Sequence, residues 1–107
     1  IVYKVSGRMF AMISICRPDH FAVKCHPDRA LLLRDRYVEI TPGYHLNKRH
    51  WNDVSIVGEL SESSLRAEVR HSYFAVVRNN VTPRARRDEI LEMAAQRGIV
   101  DDAEWLE

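Results

Sequence analysis

The segment from Thr41 to Asn52, called the basic loop below, concentrates side chains that can bind an anion or stack on a ring. Lysine and arginine pair with phosphates or carboxylates, aromatic rings stack on bases, and asparagine amides hydrogen-bond to base edges. The segment holds no acidic residue, so its cations have no counter-charge within it. We expect it to contact a nucleic acid or another ligand through seven residues: Tyr44, His45, Asn47, Lys48, Arg49, His50 and Trp51.

A structural role for the same loop is the alternative. Aromatic side chains beside strands are usually buried, so Tyr44 and Trp51 could instead anchor the loop in the core. Lys48 and Arg49 would then simply face water. The sequence leaves both interpretations open.

Three cations outside the loop are further candidates. Arg8 and Lys24 are expected to contact a nucleic-acid backbone beside Lys48 and Arg49. Arg34 falls on the apolar side of a predicted helix, so its stem must pack while its guanidinium reaches a partner, a site or an internal carboxylate. With about five phosphates neutralised, the logarithm of the binding constant should fall against the logarithm of the salt concentration with a slope near −4.

The net charge of +1 argues against a binder of polyanions, but the charge is unevenly distributed. Residues 101–107 carry four acids and no base, which leaves a net charge of +5 on residues 1–100. Two stretches, 40–52 and 69–87, contain no acid at all, and the second includes Arg84, Arg86 and Arg87. The acidic tail could fold back on the basic loop as an autoinhibitor, or Trp105 and Leu106 could dock in the groove of a partner.

Metal binding is not expected. Cys16, His20, Cys25 and His26 follow the spacing C-x3-H-x4-C-H, which matches no standard zinc motif. The neighbours Cys25 and His26 would also point to opposite faces of a strand. Cys25 is instead predicted to be a small buried hydrophobic residue.

Catalysis has little support from the sequence. It contains no G-x-S-x-G elbow, no glycine-rich phosphate loop and no H-E-x-x-H motif. We therefore expect no enzyme activity and no cofactor. A small-molecule site around His45, His50 and Arg34 is a third possibility for the same region.

The elements that must position these groups form an α+β pattern, β-β-β-α-β-β-α-α, with helices covering one face of a mainly antiparallel sheet. Apolar alternation predicts strands at 1–5, 9–16, 21–25, 38–41 and 51–57, with a tight turn at Ser6-Gly7-Arg8. Helical periodicity and caps predict helices at 27–37, at 62–79 and from Pro83 to Gly98. The second helix should bury Leu65, Val69, Tyr73, Val76 and Val77.

The segment from Pro42 to Asn52, which reads PGYHLNKRHWN, closely resembles the signature of the YjbR/MmcQ-like family. Other segments agree with the family in order and spacing, and the resemblance covers residues 1–80. The other segments that agree are Gly7 to Ala11, Lys24-Cys25, Pro27 to Leu31, Leu33-Arg34 and His71 to Tyr73.

The resemblance implies a small cytoplasmic bacterial domain, often labelled DNA-binding and described as a double-wing fold. The fold group also includes secretion-chaperone-like domains that bind protein chains. A family member usually begins with a helix, whereas this chain starts without Met and directly in a strand pattern, so we expect a missing upstream segment. At the first helix, His26 replaces the usual acidic cap, so we expect this end to be less well satisfied. Residues 81–107 add a helix and tail outside the resemblance.

Two functions follow as alternatives. The first is a nucleic-acid-binding module that uses the basic loop. The second is a protein-interaction or chaperone-like adaptor, whose complex would survive salt near about 0.5 M because apolar contacts are not screened. No apolar run is long enough to span a membrane, so no membrane partner is expected.

Overall fold

A computed structural model describes residues 1–103. Within them, five strands form one antiparallel sheet in the order β1-β2-β3-β5-β4. The strands are β1 (Val2–Val5), β2 (Arg8–Met12), β3 (His20–Lys24), β4 (Ile40–Pro42) and β5 (Trp51–Ser55). The helices are α1 (Pro27–Arg36), α2 (Glu62–Asn80) and α3 (Arg84–Gln96). The predicted α+β class and order of elements are confirmed, and no helix in the described part is long and apolar enough to cross a membrane.

A tight turn joins β1 to β2 where it is predicted, and it consists of the two residues Ser6 and Gly7 because Arg8 already belongs to β2. Ser6 and Gly7 both have positive φ, at 48° and 76°. Two successive residues in the left-handed region give a turn whose twist matches that of a hairpin. Glycine adopts this conformation without the steric cost of a Cβ atom.

The second strand is shorter than its apolar pattern predicts. It ends at Met12 instead of continuing to residue 16, and Ile15 is 85% exposed. Ser14 closes a local turn, because its carbonyl accepts from the Arg17 amide at 3.1 Å and its Oγ accepts from the Cys16 amide at 3.3 Å. These local bonds take the place of strand pairing, so the prediction of a long central strand was wrong at this end.

The two strands that flank the basic loop also differ from prediction in their bounds. Ile40 starts β4, and Val38, predicted to be part of it, is 90% exposed. Ser55 ends β5, where its Oγ accepts from the Val57 amide at 3.2 Å. A side chain that captures a nearby amide in this way replaces a bond of the sheet.

The start of α1 corrects one expectation. Asp28 donates its amide to His26 Nδ1 at 3.2 Å, so the imidazole caps the helix. Pro27 occupies the first turn, where the missing amide proton costs nothing. The expectation that His26 leaves this end poorly satisfied was therefore wrong.

Both α1 and α2 pack on the same face of the sheet. Val23 of β3 lies opposite Asn52 of β5, so the two side chains are on the same face of the sheet. Asn52 donates to the Ala30 carbonyl of α1 at 3.4 Å, which shows that this face is the one covered by α1. The core on it includes Leu33 of α1, and Leu65 of α2 packs against the same cluster. Val69 of α2, predicted to be core, is 37% exposed.

A buried ion pair joins the two helices. Arg29 of α1 is fully buried and donates to both carboxylate oxygens of Glu68 on α2, at 2.7 and 2.5 Å. Burial alone would lower the pKa of Arg29, but the hydrogen bonds and negative charge of Glu68 raise it above its ordinary value. The pair fixes the spacing of α1 and α2, because two parallel bonds restrict both position and rotation.

The C-terminal helix and the start of the tail pack on α2. Ile90 of α3 is buried in a cluster with Val76 and Val77. Beyond α3, Asp101 accepts from Arg78 at 3.0 Å, and Asp102 forms two bonds with Arg70, at 2.9 and 3.0 Å. The described part of the acidic tail therefore neutralises cations of α2 and does not contact the basic loop. Residues 104–107, including the predicted Trp105-Leu106 docking pair, lie outside the described residues.

Candidate anion-binding cleft

The basic loop is held from the inside by Arg34. Its Nε donates to Asn52 Oδ1 at 2.6 Å, and its Nη2 donates to the carbonyls of Lys48 and of Trp51, the latter at 3.1 Å. Within residues 1–103, the guanidinium therefore pairs with no carboxylate. These bonds join α1 to the second half of the basic loop, so Arg34 holds the loop in place.

The turn at the tip of the loop uses two more of the predicted contact residues. Asn47 Oδ1 accepts from the Arg49 amide at 2.9 Å, which is a local turn bond of the kind asparagine favours. Lys48 Nζ donates to the Gly43 carbonyl at 3.1 Å. A Cβ atom at Gly43 would lie 2.8 Å from Trp51 Cβ, so only glycine fits where the two ends of the loop meet.

The two aromatic residues of the loop have different environments. Trp51 is only 5% exposed, so its ring cannot stack on an external base, and the alternative of an anchoring role holds for it. Tyr44 is 61% exposed. Its ring lies 4.0 Å from that of His45, and Arg17 lies 5.2 Å from the ring centre.

A cleft of about 480 Å³ opens beside the end of the loop. It lies between the C-terminal half of α2 and the segment that joins β3 to α1. None of the residues that line it is acidic: they are Lys24, Cys25, His26, Pro27, His50, Ala75, Asn79 and Asn80. Its volume falls within the range of ordinary small-ligand sites, about 300–1,000 Å³.

Lys24 is the principal cation of the cleft. Its Nζ lies 3.4 Å from Asn80 Oδ1 and 5.9 Å from the centre of the Trp51 ring. Burial lowers the pKa of Lys24, and the positive charge of Arg8 lowers it further. An ammonium has three donors, so those not directed at Asn80 remain available to a ligand.

Ser72 positions Lys24 from α2. The Ser72 hydroxyl is fully buried, accepts from the Lys24 amide at 2.9 Å and donates to the Phe10 carbonyl. In the pairing of β2 with β3, Ala11 lies opposite Val23 and Met12 lies opposite Ala22. Phe10 and Lys24 come directly beyond the Ala11–Val23 pair and are not paired with each other. The hydroxyl therefore bridges β2 and β3 where their pairing ends, next to Lys24 in the cleft.

The predicted contact residues thus divide into groups. Lys24 and His50 meet in the cleft, Arg8 lies close enough to act on Lys24, and the side chain of Arg49 is exposed next to His50. Tyr44 and His45 lie together beside Arg17. Of the three residues suggested for a small-molecule site, His50 lies in the cleft, His45 lies beside Tyr44, and Arg34 donates to the loop. Asn47, Lys48, Arg34 and Trp51 hold the loop in shape.

Asn79 and Asn80 are cleft residues that sequence reasoning missed. They stand at the end of a helix in an acid-free stretch, a position where asparagine is also common as a helix terminator, so their type carries no specific signal. Ser72 was noted only as part of the family resemblance. Nothing in the spacing of residues shows that α2 reaches the end of β3.

A second polar cluster lies on the opposite face of the sheet. Asn52 points towards α1, so its neighbour Asp53 points away, and Asp53 is only 5% exposed. Its Oδ2 lies 2.9 Å from His20 Nδ1 and 3.1 Å from Arg17. These bonds connect β5 with the segment between β2 and β3, and they compensate for the burial of the Asp53 carboxylate.

The two cysteines have different environments. Cys16 is exposed, whereas Cys25 is 3% exposed, as predicted for a small hydrophobic residue. Burial raises the pKa of Cys25 to about 11, so its thiol is protonated at neutral pH. Within residues 1–103, no three His, Cys, Asp or Glu side chains are grouped so as to hold a metal ion.

Comparison with known proteins places this geometry in a family. The sequence pattern described as YjbR matches residues 1–75, which include the whole basic loop, Lys24 and Ser72. The chain belongs to the YjbR family. The resemblance carried by the PGYHLNKRHWN segment is therefore confirmed at the level of the family, and the matched residues include the loop that Arg34 holds in place.

Relatives in Escherichia coli support the assignment. The chain is 39% identical over 77 residues to the uncharacterized protein YbdF of E. coli O157:H7, a match that covers 71% of this chain and 63% of YbdF. It is 32% identical over 91 residues to the uncharacterized protein YjbR of E. coli K12, covering 84% of this chain and 75% of YjbR. The chain therefore spans less than two thirds of the length of YbdF.

Solved structures agree with the fold. The crystal structure of protein DR2400 of Deinococcus radiodurans, whose domain is named DUF419, superposes with a TM-score of 0.71 at 33% identity, covering 97% of this chain and 71% of that one. A protein of Pseudomonas syringae superposes with a TM-score of 0.56 at 24% identity, covering 66% of this chain and 71% of that one, and shows similarity of fold alone. Neither name states a function.

Proposed function

We propose that this YjbR-family chain binds nucleic acid, with the cleft and its flanking cations as the contact surface for phosphates. The observation that supports the proposal most is the position of Lys24 in a cleft lined by no acidic residue, with the positive charge of Arg8 acting on Lys24 from outside the lining. Among residues 1–103, Arg8 forms no ion pair. Like charges held together without a counter-ion repel each other, and a bound phosphate would relieve that repulsion.

The number of available cations sets the expected salt dependence. We count Arg8, Lys24 and Arg49 as the phosphate contacts, because Lys48 and Arg34 instead bind carbonyls of the basic loop itself. Three neutralised phosphates give a slope of about −2 for a single strand and about −3 for a duplex. These slopes are shallower than the value near −4 expected from the sequence.

The test is fluorescence anisotropy with labelled single- and double-stranded oligonucleotides of about ten nucleotides, in salt from about 50 to about 200 mM. We expect Lys24→Met to weaken binding at least about tenfold, because a hydrogen bond to a charged group is lost. Arg66→Met is the matched control. Arg66 is exposed at the other end of α2 and pairs with Glu62 at 2.6 Å, so its loss should leave affinity unchanged.

Two results would contradict the proposal. One is the absence of binding to any oligonucleotide at low salt. The other is an equal loss of affinity in Lys24→Met and Arg66→Met, which would show that only overall charge matters. A thermal melt of each variant verifies that the fold is intact.

A protein partner is the second candidate, and one surface favours it. An apolar groove of about 310 Å³ runs between α2 and β1–β3. It is lined by Tyr3, Phe10, Ala11, Ile13, Phe21 and Val69. An amphipathic helix of a partner would place its apolar face there, and such a complex should persist in about 0.5 M salt. Val69→Glu should then abolish the complex while nucleic-acid affinity stays the same.

A further inference from the structure

The cleft has a shape and a hydrogen-bonding pattern that distinguish between forms of nucleic acid. It is concave and lies between α2 and the β3–α1 connection, and its volume is about 480 Å³. A site of this size encloses a small group such as one nucleotide. A paired duplex presents its bases stacked and its phosphates on a convex surface, so its bases cannot enter such a cleft without leaving the stack.

The two asparagines of the cleft have their amide groups oriented by partners. Asn79 Nδ2 donates to the Ala75 carbonyl at 2.8 Å, so Asn79 Oδ1 is left as an acceptor. Asn80 Oδ1 accepts from Lys24 Nζ, so Asn80 Nδ2 is left as a donor. The groups left without a partner in these two bonds therefore include an acceptor on Asn79 and a donor on Asn80.

A donor beside an acceptor is the complement of a base edge. Each base carries both kinds of group on its Watson–Crick edge, and in a duplex that edge is occupied by the paired base. An unpaired base leaves the edge free. Asn79 and Asn80 can therefore bind the Watson–Crick edge of a base only when the base is unpaired, while Lys24 beside them meets the phosphate of the same strand.

His50 completes the cleft. Its imidazole is half-buried in the cleft wall, and its backbone is fixed because its carbonyl accepts from the Cys25 amide at 2.8 Å. Imidazole faces stack on bases in single-strand recognition. A rigid backbone keeps the ring at the cleft in the unbound protein, which reduces the entropy lost on binding.

We propose that the cleft accepts one unstacked nucleotide of a single strand, with Asn79 and Asn80 contacting the base edge and Lys24 the phosphate. This inference rests on the proposed function and adds to it the preferred form of the nucleic acid. Single-stranded DNA or RNA is then the ligand class of the site.

The experiment compares four labelled probes of equal length, about ten nucleotides, at low salt: single-stranded DNA, RNA of the same sequence, the DNA duplex, and an abasic DNA strand. We expect the single strands to bind at least about tenfold more tightly than the duplex or the abasic strand, because only they offer free base edges and stacking. The abasic strand carries the same phosphates, so it isolates the contribution of the bases.

Asn79→Ala provides the matching protein variant. It should weaken binding of the single strands about fivefold and leave binding of the abasic strand unchanged, since one hydrogen bond to the base is lost. Gln96→Ala is the control, because Gln96 is an exposed amide at the end of α3, away from the cleft.

The outcomes separate the two proposals. Equal affinity for the duplex, or for the abasic strand, would overturn the single-nucleotide inference and leave the proposed function standing. Binding of no probe would overturn both. An effect of Asn79→Ala on the abasic strand as large as that on the intact strand would reject the base contact.

Discussion

The arginines of α1 and the cations of the cleft differ in what their charges meet. Arg29 is fully buried against Glu68, and Arg34 donates to an amide and two carbonyls. Lys24 and Arg8 instead lie near each other at a cleft with no acidic lining. Cations of the first kind hold the fold, whereas those of the second kind are available to a ligand. Sequence composition counts both kinds equally.

The largest expected effect is on the buried pair. Arg29→Met should lower the free energy of unfolding by about 3–5 kcal/mol, because Glu68 is left charged without its partner. Urea denaturation measures this change. The double variant Arg29→Met with Glu68→Leu should recover part of the loss, and a double variant no more stable than the single one would contradict the pairing.

A smaller loss is expected at Arg34. Arg34→Met should cost about 1–3 kcal/mol, since hydrogen bonds to a charged group are removed from the loop. Arg34→Lys should not restore the stability, because lysine lacks the fork that reaches Asn52 and Trp51 together. Hydrogen exchange measures the accompanying loosening, as faster exchange at the Arg49 and His50 amides. Full recovery in Arg34→Lys would show that charge alone is needed.

The dependence of stability on pH should reveal a third interior group, His71. Burial lowers the pKa of His71, and the charge of Arg29 lowers it further, against the opposing effects of Asp101 and Glu68. The unfolded chain then binds more protons than the folded protein below the ordinary His pKa of 6.5. Stability should therefore fall as pH is lowered from 6.5 towards the folded-state pKa.

Thermal melts of the wild type and of His71→Gln across this range provide the measurement. The stability of His71→Gln should fall less steeply as pH is lowered, because this variant has no imidazole at position 71 to protonate. Identical slopes in the two proteins would assign the pH dependence to other groups.

The smallest effect on stability is expected at Lys24. Its folded-state pKa lies below the ordinary value, so the folded protein disfavours the charged ammonium at neutral pH. Lys24→Met should consequently leave the melting temperature nearly unchanged or raise it, while nucleic-acid affinity falls. A drop in melting temperature comparable with that of Arg34→Met would remove the distinction between the two kinds of cation.

The sequence predicts the described elements and their order because their local signals agree. Gly7 marks the first turn, Ser61 caps α2, and Pro27 opens α1, each through a bond or dihedral angle that its own residue type determines. The predicted ends of β2 and β5 are wrong, also for a local reason. Ser14 and Ser55 capture nearby amides, a possibility that apolar periodicity does not register.

The candidate site is less predictable, because its residue roles depend on contacts far apart in the chain. Arg34 could be placed on the apolar side of a helix, but its acceptors lie 14 to 18 residues away. Trp51 and Lys48 had the right types for ligand contacts, yet burial and a bond to Gly43 give them structural roles. Asn79 matters only because α2 ends beside Lys24.

The hydroxyl of Ser72 makes the hydrogen bonding between β2 and β3 depend on α2, which lies much later in the sequence. The Phe10 carbonyl and the Lys24 amide find their partner 62 and 48 residues further along the chain. The β2–β3 hairpin therefore cannot complete its bonds early in folding, when only local contacts have formed. The cleft cannot form before α2 packs on the sheet, because α2 supplies part of its lining. A nascent or truncated chain that ends before α2 would have the basic loop but no binding site.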